Sequence, residues 1–416
     1  MAEPILLGLD LGTTTLAGRL LTPGGAVLAE AVTDNPQKEF GDDVIRRLEA
    51  ACSGKAEELQ ALLAGAVNRL VDKLLGQAGS VRADISAAAV AANPAISLLL
   101  AGRPVEQILF PPHRPDDLAG AFLDSRENGI NLPVPFYLFP LVSGYVGGDL
   151  VAVVLAGGQP VSPTLYIDLG TNAELALWDG RQWLVTSVAA GPAFEAGHLS
   201  CGMRHGAGAI QRVSCDSERI ELDVVGGVGP VGICGSGFFS AISTALKGGL
   251  LNPQGRISSS SDVDTPLSRY LVESAGEVFL QLYYDARHRL LIRQQDVRSF
   301  QLAKGAVAAG IACLLQRTGL APSDITSVRI AGALGTALPV TDLKGVAMLP
   351  EIMLDKVRFL PSAVLDGVMV QLLEKDGEER VRRLAAELKP YPLSGTPAFE
   401  QSFLSSLDFA ETNPKL

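Results

Sequence analysis

The chain has 416 residues, of which 47% are hydrophobic and 19% charged, and its formal net charge at pH 7 is −11. This length is enough for two or three domains with a large core, and no segment has a disordered composition. The negative charge argues against a sequence-independent nucleic-acid binder, which would need a basic face.

The first half of the chain opens with an apolar run at residues 5–9 that predicts a buried strand and the start of a hairpin. A mostly helical stretch follows at 42–75, and a small-residue helix is predicted from Gly144 to Ala156. The most hydrophobic window, Ile85 to Leu100, is interrupted by Asn93-Pro94. This pair predicts the end of a strand and then a helix with Asn93 as its cap and Pro94 in its first turn.

We interpret that window as core and expect no membrane association. No basic segment precedes the short apolar run near the amino end, so no signal peptide is predicted and the expected compartment is the cytoplasm. The cysteines are five in number and scattered. Without C-x-x-C spacing they predict free thiols and no disulfide framework, zinc site or intrinsic iron–sulfur cluster.

The second half begins with another strand hairpin at Thr164 and continues through a glycine-rich region at 191–208. Gly232 to Gly237 leads into a helix predicted from Phe238, and a strand ending at Ala331 runs into a glycine turn. A further small-residue helix is predicted from Ser362 to Leu373. Strands mixed with helices in this order indicate α/β layers.

We predict a first subdomain at 1–158, a second at 159–395 and a C-terminal segment, 396–416, that packs back on the core. The main argument for two related halves is a turn that occurs twice. Asp10-Leu11-Gly12-Thr13-Thr14-Thr15 follows the first apolar run, and Asp168-Leu169-Gly170-Thr171-Asn172-Ala173 follows the run 165–167. Two matched turns in equivalent contexts predict a duplicated domain pair that binds one nucleotide between its halves.

Each residue type in these turns suits a phosphate site. We expect Gly12 and Gly170 to take positive φ and to let the backbone approach the ligand. The hydroxyl and amide side chains, with successive main-chain N–H groups, form an anion-binding concavity. The aspartate at the end of each strand offers hard oxygen to Mg²⁺. The predicted metal ligands are Asp10 and Asp168, and the predicted phosphate ligands are Gly12, Thr13, Thr14, Thr15, Gly170, Thr171 and Asn172.

Two more glycine-rich stretches complete the predicted nucleotide site. At the start of a helix, Gly235, Ser236 and Gly237 would offer N–H groups and the positive end of a helix dipole to a polar ligand. The turn with Gly332, Ala333 and Gly335 would let a base or ribose lie against bare backbone. The two small-residue helices are expected to cross where the halves meet.

The whole pattern resembles the actin, sugar kinase and heat-shock chaperone superfamily. Further segments are similar to one family within it, the reductive activators of corrinoid proteins. They are Asn35-Pro36-Gln37 with 41–47, 144–149, 190–195, 232–237, and Asp296-Val297-Arg298 with Gln301-Leu302-Ala303-Lys304. This resemblance spans nearly the whole chain and implies duplicated ribonuclease H-like, actin-like ATPase subdomains flanking a nucleotide cleft.

The resemblance also implies a function. It indicates an activator that binds ATP with Mg²⁺, hydrolyses it slowly, and supports reductive reactivation of a corrinoid methyl-transfer protein. Members of the family usually carry a ferredoxin-like domain, whereas only Met1 to Pro4 precede the first strand of this sequence. Either a separate ferredoxin-type partner therefore supplies the electrons, or the chain is a paralogue with another task. Related domains tend to pair, which makes a homodimer one expected assembly.

Phosphoryl transfer to water needs a group that orients the water. Asp149, Glu174 and Glu195 are the candidate carboxylates, and Asp149, at the start of the first small-residue helix, is the preferred one. Two other functions stay open at this point. One is a small-molecule kinase of the same superfamily, and the other is a nucleotide-sensing scaffold without turnover.

Overall fold

The computed structural model describes residues 3–41, 43–110, 113–116, 119–216, 218–332 and 338–409. The chain forms two compact units and passes between them several times. The first unit comprises Met1–Val161, Gly180–Thr186 and Ser362–Tyr391, and the second comprises Ser162–Asp179, Ser187–Pro361 and Pro392–Leu416. The subdomain boundaries that the sequence analysis placed after residues 158 and 395 remain predictions.

Strands and helices are mixed along the first part of the chain. Up to residue 160 the described strands are β1 (Ile5–Leu11), β2 (Thr15–Leu21), β3 (Val27–Asp34), β4 (Ile85–Ala92), β5 (Ala121–Leu123) and β6 (Phe136–Leu138). The helices of this stretch are α1 (Val44–Ala50), α2 (Ala56–Ala78), α3 (Pro94–Leu100), α4 (Glu106–Leu109) and α5 (Gly148–Gly157).

After residue 160 the strands are β7 (Thr164–Leu169), β8 (Asn172–Trp178), β9 (Trp183–Ala189), β10 (Ala209–Cys215), β11 (Ile220–Val224), β12 (Gly232–Ile233), β13 (Leu271–Ser274), β14 (Glu277–Tyr284), β15 (Arg289–Ile292), β16 (Ser327–Gly332), β17 (Val357–Phe359) and β18 (Leu388–Pro390). The helices are α6 (Gly235–Lys247), α7 (Gln294–Thr318), α8 (Val340–Gly345), α9 (Ala363–Leu373), α10 (Gly377–Glu387) and α11 (Pro397–Ser405).

The main sheet of the first unit has the strand order β3-β2-β1-β4-β6-β5. Strand β1 is antiparallel to β2 and parallel to β4, and β4 is parallel to β6. Both faces of β1 are covered, which explains why its sequence is an apolar run instead of an alternation. Helix α2 buries residues at helical spacing, Leu63, Val67, Leu70 and Leu74, against the core of this sheet.

The second unit repeats this arrangement with four strands in the order β17-β16-β7-β8. Strand β7 is antiparallel to β8 and parallel to β16, and β16 is parallel to β17. Strands β1, β2, β4 and β6 of the first unit therefore correspond to β7, β8, β16 and β17. The predicted duplication of α/β subdomains is confirmed.

The small-residue helices α5 and α9 pack closely against each other within the first unit. A Cβ at Gly367 of α9 would overlap the main chain of Ala152 in α5, so glycine allows this approach. Helix α5 begins at Gly148 and not at the predicted Gly144. The reason is that Gly144 lies against the main chain of His113, in a loop that precedes the helix.

Among the described residues, one helix is long and apolar enough to cross a membrane, namely α7, and 72% of its most apolar window is buried within the fold. The last described residues pack on this helix. Gln301 donates to Leu407 O (3.0 Å), Lys304 donates to Asp408 O, and Phe409 is 5% exposed. Burial lowers the pKa of Lys304 to about 8.

Candidate functional site

The turn between β1 and β2 consists of Gly12, Thr13 and Thr14 and is called the first turn. The N–H of Gly12 donates to Thr15 O (2.9 Å), which closes a tight reversal of the chain. Asp10 lies near the end of β1, opposite Ala17 in β2. The predicted aspartate and threonines are therefore neighbours on one strand end, as the sequence indicated.

Two side chains from the segment 35–47 hold the first turn. Asn35 is fully buried, and its Nδ2 donates to Gly12 O (3.0 Å). Arg47 is 2% exposed, and its guanidinium donates to Thr13 O (2.7 Å) and Gly41 O (2.8 Å). Sequence reasoning connected these residues only with a family resemblance, because their partners in the first turn lie more than twenty positions away along the chain.

Asn93 connects the first turn to the region of Asp149. Its Oδ1 accepts the N–H of Ile96 (3.0 Å), so it caps α3 as predicted, and its Nδ2 donates to Thr13 Oγ1 (3.0 Å). A Cβ at Gly147 would lie 2.7 Å from Asn93 Cα and 2.9 Å from Asp149 Oδ1. Asp149 therefore lies near Asn93, which contacts the first turn, and burial raises the pKa of Asp149 from 3.8 to about 6.

The turn between β7 and β8 consists of Gly170 and Thr171 and is called the second turn. Thr171 Oγ1 donates to Glu195 Oε1 (3.1 Å), and the N–H of Gly191 donates to Thr171 O (2.8 Å). Asn172 is the first residue of β8. The second turn is thus held by the glycine-rich region that the sequence analysis identified.

Positive φ occurs at other glycines than predicted. Gly12 and Gly170 are absent from the described residues with positive φ, whereas Gly191 has φ +74° and Gly332 has φ +92°. A Cβ at Gly12 would lie 3.0 Å from Thr15 O, and one at Gly170 would lie 3.2 Å from Asn172 O. Glycine is used in these turns because the turn's own carbonyl comes close, so the prediction of positive φ is wrong.

Gly332 at the end of β16 packs against the strand that carries Asp168. A Cβ there would lie 2.7 Å from Asp168 Oδ1 and would overlap Leu169 O. Gly332 therefore leaves space beside the predicted metal ligand. Ala333 and Gly335, the other predicted residues of this turn, lie outside the described residues.

The predicted residues at the start of α6, Gly235, Ser236 and Gly237, pack against neighbouring main chain in the second unit. A Cβ at Gly235 would overlap Phe194 O, and one at Gly237 would overlap Ile210 O. Ser236 donates to Gln211 O (3.1 Å). Gly235 brings the helix start against the main chain next to Glu195, and Gly237 brings it against β10. The role of these residues in binding a ligand stays a prediction.

The three candidate carboxylates have different environments. Glu174 is 6% exposed and accepts Ser187 Oγ (3.0 Å), and Glu195 accepts the hydroxyl of Thr171. Asp149 accepts the N–H of Leu150 (2.9 Å) in its own helix. The two glutamates therefore each bind a neighbouring hydroxyl, while the pKa of Asp149 is shifted toward neutrality.

Among the residues that the structure describes, neither a cluster of metal-ligating side chains nor the cavity between α5 and α10 coincides with these turns. Across the part of the chain that the structure describes, no group of three or more His, Cys, Asp or Glu residues could hold a metal. A cavity of about 220 Å³ in the first unit is lined by none of the predicted site residues. Its lining is Val154, Leu155, Gly158, Gln159, Arg380, Arg383, Leu384 and Glu387.

Comparisons with known proteins cover nearly the whole chain. The RACo middle region matches residues 6–159, and the C-terminal domain of RACo, the ASKHA domain, matches residues 162–416. A solved structure, a reductive activator for a corrinoid, iron-sulfur protein, is similar with a TM-score of 0.90 and 29% identity. That match covers 98% of this chain and 66% of the other.

Curated relatives agree with these matches. The corrinoid activation enzyme RamQ of Eubacterium limosum is 28% identical over 422 residues, which cover 97% of this chain and 70% of the relative. The [Co(II) methylated amine-specific corrinoid protein] reductase of Methanosarcina barkeri is 27% identical over 236 residues, 51% of this chain and 39% of the relative. This chain therefore spans only part of each of these relatives.

The repeated strand order, the paired turns and these matches agree: the chain belongs to the RACo family, the reductive activators of corrinoid proteins, and has the ASKHA, actin-like ATPase fold.

Proposed function

We propose that this chain binds ATP with Mg²⁺, hydrolyses it slowly, and thereby supports the reductive reactivation of a corrinoid methyl-transfer protein. The observation that carries the proposal is the pair of Asp-Gly-Thr turns on equivalent strand frames in a member of the RACo family. The names of two relatives, a corrinoid activation enzyme and a corrinoid protein reductase, support the choice of partner.

Nucleotide phosphates would be bound by both turns. In the first turn the ligands would be Gly12 to Thr15, and in the second they would be Gly170 to Asn172. Turn N–H groups and hydroxyls suit this task because they donate hydrogen bonds to phosphate oxygens without adding negative charge. The start of α6 and the turn at Gly332 would contact the nucleoside.

The residues present fit a Mg²⁺ ion that travels with the nucleotide. Mg²⁺ in nucleotide sites keeps several waters and takes one or two carboxylates plus phosphate oxygens, so a cage of protein ligands is not required. Asp10 and Asp168 would supply the carboxylates, and the missing Cβ of Gly332 leaves room beside Asp168 Oδ1. Bound there, the ion would neutralise charge on the phosphates.

Asp149 would orient the attacking water. A carboxylate with a pKa of about 6 is ionised at pH 7 yet is more basic than an exposed one, which suits a general base. Glu174 and Glu195 would instead support the second turn through their hydroxyl partners. This division of roles is testable because the three carboxylates can be replaced one at a time.

The electron would come from a separate iron–sulfur protein or domain, because the five cysteines of this chain are free thiols at scattered positions. ATP would act by binding differently to two conformations, since a ligand shifts an equilibrium only by its differential affinity. The proposal includes a homodimer, which sedimentation can measure, and a cytoplasmic location, where free thiols stay reduced.

The test is an ATPase assay with a corrinoid protein reconstituted in its Co(II) state, a low-potential reductant and Mg²⁺. We expect a slow basal rate that the corrinoid protein stimulates, and recovery of methyl acceptance followed by the corrinoid absorption spectrum. The variant Asp168→Asn should lose both the ATP dependence and the stimulation.

Two results would reject the proposal. ATP consumption that depends on a small metabolite acceptor, with no effect of any corrinoid protein, would indicate a small-molecule kinase. ATP binding without turnover under all conditions, with the same lack of response, would indicate a nucleotide-sensing scaffold.

A further inference from the structure

The first turn is held from one side by a buried positive charge. Arg47 is 2% exposed, and its guanidinium donates to the main-chain oxygens of Thr13 and Gly41. Burying a guanidinium is expensive unless its donors are satisfied, so its position needs a reason beyond packing. Because it donates directly to the turn, that reason concerns the turn.

Asn35 holds the residues on either side of Thr13. Its Nδ2 donates to Gly12 O (3.0 Å), and its main-chain N–H donates to Thr14 O (3.0 Å). Its Oδ1 accepts the N–H of Gln37 (3.0 Å), and Gln37 in turn donates to Leu59 O (2.9 Å) in α2. The turn is thus tied to the longest helix of the first unit through fully buried amide groups.

Three successive carbonyls, those of Gly12, Thr13 and Thr14, therefore point toward donors from residues 35 and 47. In a planar trans peptide the N–H points opposite to the C=O. The N–H groups of Thr13, Thr14 and Thr15 consequently point away from Asn35 and Arg47. Successive N–H groups on one side form an anion-binding concavity, and the carbonyl oxygens that would repel a phosphate are kept on the other side.

We propose that Arg47 and Asn35 are positioning residues that hold the first turn with its N–H groups toward the nucleotide phosphates. They act through the turn and do not touch the ligand themselves. This inference rests on the proposed function, since it presupposes a phosphate at the turn. It also assigns a physical role to the segment 35–47, part of the family pattern in the sequence.

The experiment compares Arg47→Met, Arg47→Lys and Asn35→Asp with matched controls in the same unit. Arg82 donates to Asn68 O (2.9 Å) and Asn131 O (2.6 Å), far along the chain from the turn. Asn68 donates to Gly129 O (2.9 Å) and accepts from Asn131 (2.8 Å). The controls Arg82→Met and Asn68→Asp therefore remove hydrogen bonds to main-chain groups without affecting the first turn, and Arg82→Met in addition removes an ion pair with Asp72 (2.7 Å).

Calorimetry measures the affinity for a non-hydrolysable ATP analogue with Mg²⁺, and competition measures the affinity for AMP. We expect Arg47→Met and Asn35→Asp to weaken analogue binding about 10- to 100-fold. Arg47→Met removes hydrogen bonds from a charged donor, and Asn35→Asp replaces the donor to Gly12 O by an acceptor that the carbonyl oxygen repels. We assign the β- and γ-phosphates, which AMP lacks, to the first turn, so the affinity for AMP should change less than about threefold. Arg47→Lys should fall between wild type and Arg47→Met, because it keeps the charge and one donor.

The outcomes are separable. If the substitutions weaken binding of the analogue and of AMP equally, the positioning role is overturned while nucleotide binding stands. The same holds if the two control variants lose as much affinity for the analogue as the Arg47 and Asn35 variants. A wild-type chain that binds no analogue would reject the proposed function itself. If Arg47→Met does not fold, Arg47→Lys and Asn35→Asp decide by the same ratio of affinities.

Discussion

The first turn and the second turn lie on equivalent strand frames, but different neighbours support them. Buried donors from Asn35, Arg47 and Asn93 hold the first turn through its carbonyls and a hydroxyl. In the second turn the hydroxyl of Thr171 donates a hydrogen bond to Glu195. The strand before this turn, β7, is closely approached by Gly332. Duplication therefore preserved the strands and the turn chemistry, while the supporting structure diverged. We therefore expect substitutions that remove hydrogen-bond donors to affect the first turn most, and substitutions that add atoms to a close contact to affect the second turn most.

The largest effect should come from adding a methyl group next to the second turn. Gly332→Ala would place Cβ against Leu169 O and Asp168 Oδ1 at φ +92°, which no alanine adopts easily. We expect a loss of about 3 kcal/mol or more in the free energy of unfolding, from overpacking plus backbone strain. Urea denaturation measures this loss.

The matched control for this substitution is Gly180→Ala. Gly180 also has positive φ, +98°, but its Cβ would meet nothing within 4 Å. The Gly180→Ala variant should lose only about 1 kcal/mol in the free energy of unfolding, because backbone strain is its only cost. Equal losses for the two variants would show that the close approach at Gly332 does not constrain the second turn.

Next in size is a pH-dependent effect at Asp149, which lies near Asn93. Its pKa is raised from 3.8 to about 6, so the folded state binds the proton more tightly than the unfolded state. Wild-type stability therefore falls as pH rises from about 4 to about 6, by about 2–3 kcal/mol in total from this group. Asp149→Asn removes that loss.

We accordingly expect Asp149→Asn to be more stable than wild type above pH 6 and equal to it below about pH 4, as measured by urea denaturation at both pH values. Its ATPase rate should fall about 100-fold, as for a lost general base, with unchanged nucleotide affinity. A variant that is less stable than wild type at pH 7.5 would contradict this account of the carboxylate.

A smaller effect is expected at the acceptor of the second turn. Glu195→Ala removes the partner of the Thr171 hydroxyl and should cost about 1 kcal/mol. Glu195→Gln keeps an acceptor oxygen and should restore most of that stability. It should also keep an ATPase rate close to wild type, so a large loss of rate in Glu195→Gln would move the water-orienting role from Asp149 to Glu195.

The smallest effect compares the two turn glycines directly. Neither Gly12 nor Gly170 has positive φ, and the Cβ contacts would be 3.0 Å and 3.2 Å. Gly12→Ala and Gly170→Ala should each lose less than about 1 kcal/mol of stability, because no left-handed backbone has to be accommodated. Losses of about 2 kcal/mol or more in thermal or urea unfolding would show that the carbonyl oxygens of Thr15 and Asn172 do not move to make room for a methyl group.

Sequence reasoning was most successful where the interactions are local. The apolar runs of β1 and β7, the aspartates at their ends and the cap at Asn93 depend on neighbouring residues, and the structure has them as predicted. The support of the turns depends on residues far apart along the chain, such as Arg47 with Thr13. No local pattern reveals such a partner.

The glycines show the same limit. A glycine in a turn suggests positive φ, yet at Gly12 and Gly170 the constraint is a nearby carbonyl oxygen. At Gly332 the constraint is a neighbouring strand that the sequence does not specify. Which physical reason applies at a given glycine becomes visible only when the strands are paired.

The central claim is that both turns bind the phosphates of one nucleotide. The most direct measurement is calorimetric titration of a non-hydrolysable ATP analogue with Mg²⁺ into wild type, Asp10→Asn, Asp168→Asn and the double variant. We predict one site per chain, with each single substitution weakening binding by about 10-fold or more through loss of a Mg²⁺ ligand. Two independent sites per chain, or an affinity that responds to only one of the two aspartates, would contradict the claim.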